Sequence, residues 1–98
     1  MYARVTLAQM QPGKLEEVLQ VIQHAVVPAA RQAPGFKGLL MLTDPGTHKG
    51  IAIAFWESEA ELRASEAPGG YYREELAKGA HFFSAPPIQE VYEVRLQV

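Results

Sequence analysis

One strand-like segment of the sequence, Gly50–Trp56, is apolar on both of its faces. Successive side chains of an extended chain point to opposite sides, so its odd-numbered and even-numbered residues form two separate faces. Those two sets are Ile51, Ile53 and Phe55, and Ala52, Ala54 and Trp56. The preceding segment, Phe36–Thr43, is also apolar on both sides, and Asp44-Pro45-Gly46 supplies the turn between the two. A sheet built from such strands needs a cover on both sides, unless one face stays open and mildly apolar.

Three further segments have helical patterns. Apolar residues recur at helical spacing over Leu15–Ala30, where Pro28 is expected to kink or break the helix. Ser58–Glu61 has the sequence of a capping box, which predicts a short helix that begins at Glu59. A last helix is predicted over Tyr71–Phe83.

The order of the elements predicts a fold class. Tyr2–Gln9 and Ile88–Val98 alternate with a period of two, as strands do. The order is therefore β-α-β-β-α-β with one extra short helix. It predicts an α+β, ferredoxin-like fold with a four-stranded antiparallel sheet and helices on one side. We expect residues 1–98 to form one domain, with the first and last strands as neighbours.

The side of the sheet without helices predicts a partner. A second copy packed face to face would cover it, so we expect a homodimer through the open sheet face. Strand parity led us to assign Arg4, Thr6, Glu93 and Arg95 to that face, with Arg4 and Glu93 as an ion pair.

Composition excludes several classes of protein. The 98 residues include no cysteine, which removes disulfides, thiolate metal sites and cysteine nucleophiles. The longest apolar run is far shorter than the roughly 20 residues that a membrane span needs. Arg4, Gln9 and Gln11 interrupt the hydrophobic start, so we expect no leader. We expect no membrane association and a cytoplasmic location.

Nucleic acid is also an unexpected partner, although RNA-recognition modules share this order of elements. Lys49–Trp56 lies where that module has an octapeptide with two base-stacking aromatic residues. Those two positions are Ile51 and Ile53 here, and the net charge is −2. The chain therefore lacks both the stacking groups and the cationic balance that nucleic-acid binding requires.

The three histidines, His24, His48 and His81, lie far apart and in different predicted elements. None belongs to a metal-binding spacing such as His-x-His or His-Glu-x-x-His, and a surface or capping role is commoner for such residues. We expect no stoichiometric iron, zinc or flavin, and hence no cofactor.

Several motifs together resemble the antibiotic biosynthesis monooxygenase family. The most specific is Trp56–Ala64, with the pattern Trp-Glu-Ser-x-Ala-x-Leu-x-Ala. Weaker pieces occur in the matching order and together extend the resemblance over essentially the whole chain: Gln11–Lys14, Pro34–Phe36 and Pro86-Pro87 through Tyr92–Val94.

The resemblance implies a dimeric α+β barrel with two sheets face to face. It also implies a family that includes oxygenases of aromatic polyketides working without metal or flavin, haem-degrading relatives, quinol oxygenases and signal-molecule isomerases. In such an oxygenase the deprotonated, electron-rich substrate itself reduces dioxygen, and the protein supplies a dry pocket, a proton acceptor and donors for the anion.

The sequence departs from the family at four positions where relatives carry functional groups. Ala54 replaces a common acidic residue, and Gly69-Gly70 replaces a histidine that opens the last helix in quinol and signal-molecule branches. Thr6 and Ser65 stand near the asparagine and second tryptophan of haem-degrading members. Haem degradation is therefore disfavoured.

Two functions remain open from the sequence. The first is a cofactor-independent monooxygenase acting on a small aromatic or quinol-type metabolite. The second is a non-catalytic small-molecule-binding or stress-associated homodimer of the same fold. We expect an aromatic ligand in a gap between helices and sheet, near Pro28 and Gly69-Gly70, and the pattern identifies no catalytic residue. The candidate ligand-binding residues are Tyr72, His81, His24 and Trp56.

Overall fold

Four strands form one antiparallel sheet in a computed structural model that describes residues 1–98. The sheet order is β2-β3-β1-β4, so the first and last strands are neighbours as predicted. The ferredoxin-like α+β fold class is confirmed. The strands are β1 (Tyr2–Gln9), β2 (Phe36–Asp44), β3 (Lys49–Trp56) and β4 (Ile88–Glu93).

The first helical stretch accommodates Pro28 without a break. It consists of α1 (Leu15–Val21), a π-helical turn (Ile22–Val26) and α2 (Val27–Arg31). Proline lacks an N–H and its ring clashes with the carbonyl four residues earlier in an α-helix. The wider turn ends with a bond from the Val27 N–H to the Ile22 carbonyl, immediately before Pro28. The helix is therefore not broken at Pro28, and the irregularity takes the form of this local widening.

The two later helices start at different kinds of cap. In α3 (Glu59–Glu66) the Ser58 hydroxyl accepts from the Glu61 N–H at 3.2 Å and donates to the Glu61 carboxylate at 2.9 Å. The predicted cap and helix start are confirmed. The last helix, α4 (Tyr71–Lys78), ends at Gly79 and continues as a 3₁₀ turn (Ala80–Phe82), so it is shorter than predicted.

The last strand is also shorter than predicted. Its ladder with β1 ends where Glu93 pairs with Tyr2, and the Val94 N–H donates to the Met1 carbonyl at 2.8 Å. No helix in the fold is long and apolar enough to cross a bilayer.

The inner face of the sheet, which we define as the side covered by the helices, carries an unexpected charge. Arg4 and Thr6 point to this face, and the register places Glu93 on the same side as Tyr2. Arg4, Thr6 and Glu93 were therefore assigned to the wrong face, and Arg95 lies beyond the end of β4. The predicted Arg4–Glu93 pair is also absent, because Glu93 accepts from the Tyr2 hydroxyl at 3.4 Å and pairs with Arg95 at 3.6 Å.

The open face, on the other side of the sheet, is apolar across all four strands. Glu90 is the one charged side chain in its centre. Leu40, Leu42, Ile88 and Tyr92 are exposed on it. The apolar residues that the register places on this face are Ala3, Val5, Leu7, Leu40, Leu42, Ile51, Ile53, Phe55, Ile88 and Tyr92, and Gln9, Asp44 and Lys49 lie at its end beside the β2–β3 turn. The two-sided apolar character predicted for β2 and β3 is confirmed.

We predict that Ser58→Ala lowers the free energy of unfolding by about 1 kcal/mol, because the first turn of α3 loses its cap. Urea unfolding followed by circular dichroism measures the change. Ser58→Thr keeps the hydroxyl and serves as the control. Equal losses in both variants would show that the cap hydrogen bonds do not carry the effect.

Candidate functional site

A cavity of about 110 Å³ lies between the inner face of the sheet and the helices. Fifteen of its twenty lining residues are hydrophobic, so the walls are largely dry. Representative wall residues come from every layer around it: Val18, Ile22, Met41, Ala52, Leu76 and Phe82.

The cavity exists because β3 carries small side chains on its inner face. Gly50, Ala52 and Ala54 all line it, and larger side chains at these positions would fill part of the space. At Gly50 an added Cβ would approach the methyl groups of Met10 and Met41 to 2.9 Å. Ile51, Ile53 and Phe55 project to the open face instead, and Trp56 is the one bulky residue of β3 on the inner face, at the end of the strand. The strand therefore leaves room on one side and builds an apolar surface on the other.

A buried arginine forms one polar end of this cavity. Arg4 is only 2% exposed, and its Nη1 donates to Ser65 Oγ at 2.7 Å while its Nη2 donates to Tyr71 Oη at 2.9 Å. Glu66 Oε1 lies 3.4 Å from Nη1. The guanidinium carbon lies 3.8 Å from the centre of the Tyr72 ring, within cation–π range. These partners offset the desolvation cost of burying a cation in an otherwise apolar region.

Two tyrosines on α4 extend this polar end. The Tyr72 and Thr6 hydroxyl oxygens are 2.9 Å apart and share a hydrogen bond. Tyr71 stacks on the Trp56 indole with ring centres 6.0 Å apart. Burial raises the pKa of the Tyr71 phenol above its usual value, and the neighbouring Arg4 cation opposes that rise. The Tyr71 hydroxyl therefore stays protonated at neutral pH and can donate.

Glu75 is the one carboxylate that lines the cavity. Its side chain is 9% exposed, and Oε1 accepts from Lys78 Nζ at 3.0 Å. The other oxygen, Oε2, is buried and has no hydrogen-bond partner. An unpaired buried carboxylate oxygen is energetically costly, which makes Glu75 an unusual component of this wall.

The structure brings one of the four sequence-predicted ligand residues into the cavity wall. Tyr72 lines it. Trp56 is fully buried behind Arg4 and Tyr71, and its indole Nε1 has no partner. His24 and His81 are exposed and line no part of the cavity; His81 packs on Phe82 with ring centres 4.0 Å apart.

The cavity lies between helices and sheet as expected, but the features expected to create it lie elsewhere. Gly69 and Gly70 border a separate surface depression, where Gly70 packs closely against the Ser65 carbonyl. Pro28 is not among the lining residues, although the π-helical turn before it contributes Ile22 and Val26.

Four polar residues of the cavity wall were missed as candidates from the sequence: Arg4, Thr6, Tyr71 and Glu75. The available signal was the spacing of Tyr71, Glu75 and Gly79, which places them on one side of α4. No group of three or more histidine or acidic side chains lies close enough together to hold a metal ion.

A sequence model described as antibiotic biosynthesis monooxygenase matches residues 1–71. The chain belongs to this family. The match covers the sheet strands β1 to β3 and ends at Tyr71, so the Glu75 side of the cavity lies outside it. A search of curated proteins found no match to the chain.

Several solved structures share the fold of this family member. SnoaB of Streptomyces nogalater, described as a cofactor-independent oxygenase, has a TM-score of 0.78 at 17% identity, with 99% of this chain and 95% of SnoaB covered. A monooxygenase from the ActVA-Orf6 gene of Streptomyces coelicolor, in complex with nanaomycin D, has a TM-score of 0.76 at 16% identity, with 99% and 89% covered. A Nitrosomonas europaea protein of unknown function scores 0.79 at 18% identity, with 99% and 91% covered.

We predict that Arg4→Met lowers the free energy of unfolding by on the order of 3 kcal/mol, because it leaves buried polar partners without their donor. Chemical unfolding measures this loss. Arg73→Met removes an exposed arginine of α4 and should change stability by no more than about 0.5 kcal/mol. A similar small effect at both positions would contradict the structural role of Arg4.

Proposed function

We propose that this protein is a cofactor-independent monooxygenase that acts on a small aromatic, quinol-type compound. The observation that carries the proposal is the apolar cavity that ends on a buried arginine and two tyrosines. Apolar walls suit an aromatic ring, and a buried cation suits the oxygen of its deprotonated form. The descriptions of SnoaB and of the Streptomyces coelicolor enzyme support the same class of reaction.

The overall reaction needs no external reductant. A quinol and one dioxygen molecule give a hydroxyquinone and one water. One oxygen atom enters the ring and the other leaves as water, while the quinol supplies all four electrons. The chemistry therefore depends on making the quinol anion, which is more easily oxidised than the neutral quinol.

The cavity residues would contribute to that step through charge and exclusion of water. Arg4 would stabilise the quinolate oxygen, with the Tyr71 and Tyr72 hydroxyls as neighbouring hydrogen-bond donors. One well-placed donor to a developing anion contributes about 10²–10³ in rate at other enzyme sites. The volume of about 110 Å³ is smaller than a cavity of about 150 Å³ that holds one benzene molecule, so a single ring is the upper limit for the ligand.

A second candidate function is small-molecule binding without catalysis. The observation that favours it is the full engagement of the Arg4 guanidinium by Ser65, Glu66 and Tyr71. A cation held this tightly by protein partners gives less stabilisation to a new anion, because its charge is partly neutralised.

We also propose a homodimer through the open face. Ten residues that the register places on the open face are apolar, and Glu90 is the one charge in its centre, so this surface is costly in water. The cavity lies on the other side of the sheet, so each subunit would keep a complete cavity of its own.

We predict that the protein accelerates oxygen uptake with a monocyclic quinol and that labelled dioxygen places one labelled atom in the product. Ala52→Leu should lower kcat/KM by on the order of 100-fold, because the added carbons occupy the ring's space. Ala60→Leu adds the same atoms at an exposed position of α3 and should leave the rate unchanged.

Binding of the quinol without oxygen uptake would reject the monooxygenase proposal and favour the binding function. Equal rates for wild type and Ala52→Leu would show that the reaction occurs outside this cavity.

We predict that wild-type protein sediments at twice the mass of one chain at micromolar concentration. The double variant Leu40→Glu/Leu42→Glu should be monomeric, because it places two carboxylates in the proposed interface. Leu96→Glu changes an exposed leucine beyond β4 and should remain dimeric. A wild-type monomer would contradict the proposal.

A further inference from the structure

We propose that Glu75 is the proton acceptor for a phenolic hydroxyl bound in the cavity. This inference rests on the proposed function, because it assigns the residue that would generate the reactive anion. Two independent observations support it: Glu75 lines the cavity, and its Oε2 is buried without a hydrogen-bond partner.

The geometry of Glu75 leaves one oxygen free for a ligand. Lys78 lies three residues later on α4 and holds Oε1 at 3.0 Å, which fixes the carboxylate from the solvent side. Buried polar atoms in folded proteins almost always have a partner. A hydroxyl group on a bound ring would supply the missing donor to Oε2.

Other groups near the cavity are less suited to accept the proton. Burial raises the pKa of Tyr71, which keeps its hydroxyl protonated. Glu66 already accepts from Arg4 and from Gln89 at 2.8 Å, and it does not line the cavity. His24, on the π-helical turn, is exposed and outside the wall.

The proton transfer needs only the bound phenol and the Glu75 carboxylate. The phenolic O–H bond breaks, its electron pair stays on the ring oxygen, and the proton forms a new O–H bond to Glu75 Oε2. The phenolate then lies in the same cavity as the Arg4 cation. In the complete reaction Glu75 can return this proton to the dioxygen-derived oxygen atom that leaves as water.

The charged and titratable groups around the cavity make the step testable by pH. The groups on the surrounding elements are Arg4, Tyr71, Tyr72 and Lys78, with Glu66 of α3 paired to Arg4. The lining side chains from α1, the π-helical turn, β2, β3 and the 3₁₀ turn are uncharged, and His24 and His81 on two of these elements are exposed. In model peptides the arginine, lysine and tyrosine side chains ionise well above neutral pH. A probe that ionises near neutral pH is then the main titrating group.

The experiment measures the affinity of 4-nitrophenol by absorption across its own ionisation. Wild-type protein should bind the neutral form, because ligand hydroxyl and Glu75 together hold one proton. Its apparent Kd should rise about 10-fold per pH unit above the ionisation of the probe. Glu75→Gln removes the carboxylate, so its Kd should stay level or fall over the same range.

Glu74→Gln provides the matched control, because Glu74 is the exposed neighbour on α4 and carries the same charge. It should reproduce the wild-type pH profile. Glu75→Leu gives a second test if Glu75→Gln does not fold, since it also removes the charge and should also lose the rise in Kd.

Identical pH profiles for wild type and the Glu75 variants would overturn the assignment, and so would a failure of wild type to bind 4-nitrophenol. The expected profiles together with no oxygen uptake on quinols would leave Glu75 as the acceptor and reject the monooxygenase function alone.

Discussion

The burial of Arg4 is the constraint on which the inner half of the molecule depends. A guanidinium in an apolar layer is stable only when its donors are matched, and the chain provides those partners from separate elements. Ser65 and Glu66 come from the end of α3, and Tyr71 comes from the start of α4. Arg4 thus joins β1 to both later helices and sets where α4 lies over the sheet. The position of the cavity follows from that placement.

The second constraint is the difference in side-chain size between the two faces of β3. Trp56 and Leu62 form a tightly packed cluster at one end of the sheet, and Met10, Val18 and Phe82 form another. Between these clusters Ala52 and Gly50 are too small to bring the helices into contact with the sheet. Packing at both ends holds the layers apart, so the space between them is retained instead of collapsing.

Sequence patterns were sufficient to predict the fold, because strands and helices each have a local periodicity that the sequence displays. The two-residue period of β1 and the Ser58 cap are properties of neighbouring residues, and both were predicted correctly. The face assignment of β1 was wrong for a physical reason. Ala3, Val5 and Leu7 lie on the open face, while the polar set turns inward because Arg4 finds partners from distant parts of the chain. Spacing does not encode such partners, which is also why Glu75 was missed.

The π-helical turn limits how the length of this helical stretch can change. A π-turn holds one more residue than an α-turn, and one residue corresponds to about 100° of rotation around a helix axis. Because the wider turn absorbs that residue, deleting one residue from Ile22–Val26 would restore an α-turn and leave both the relative facing of α1 and α2 and every strand register nearly unchanged. It would also place the ring of Pro28 against an α-helical carbonyl. The proline therefore acts against loss of the extra residue, and it keeps Ile22 and Val26 in a widened turn at the cavity wall.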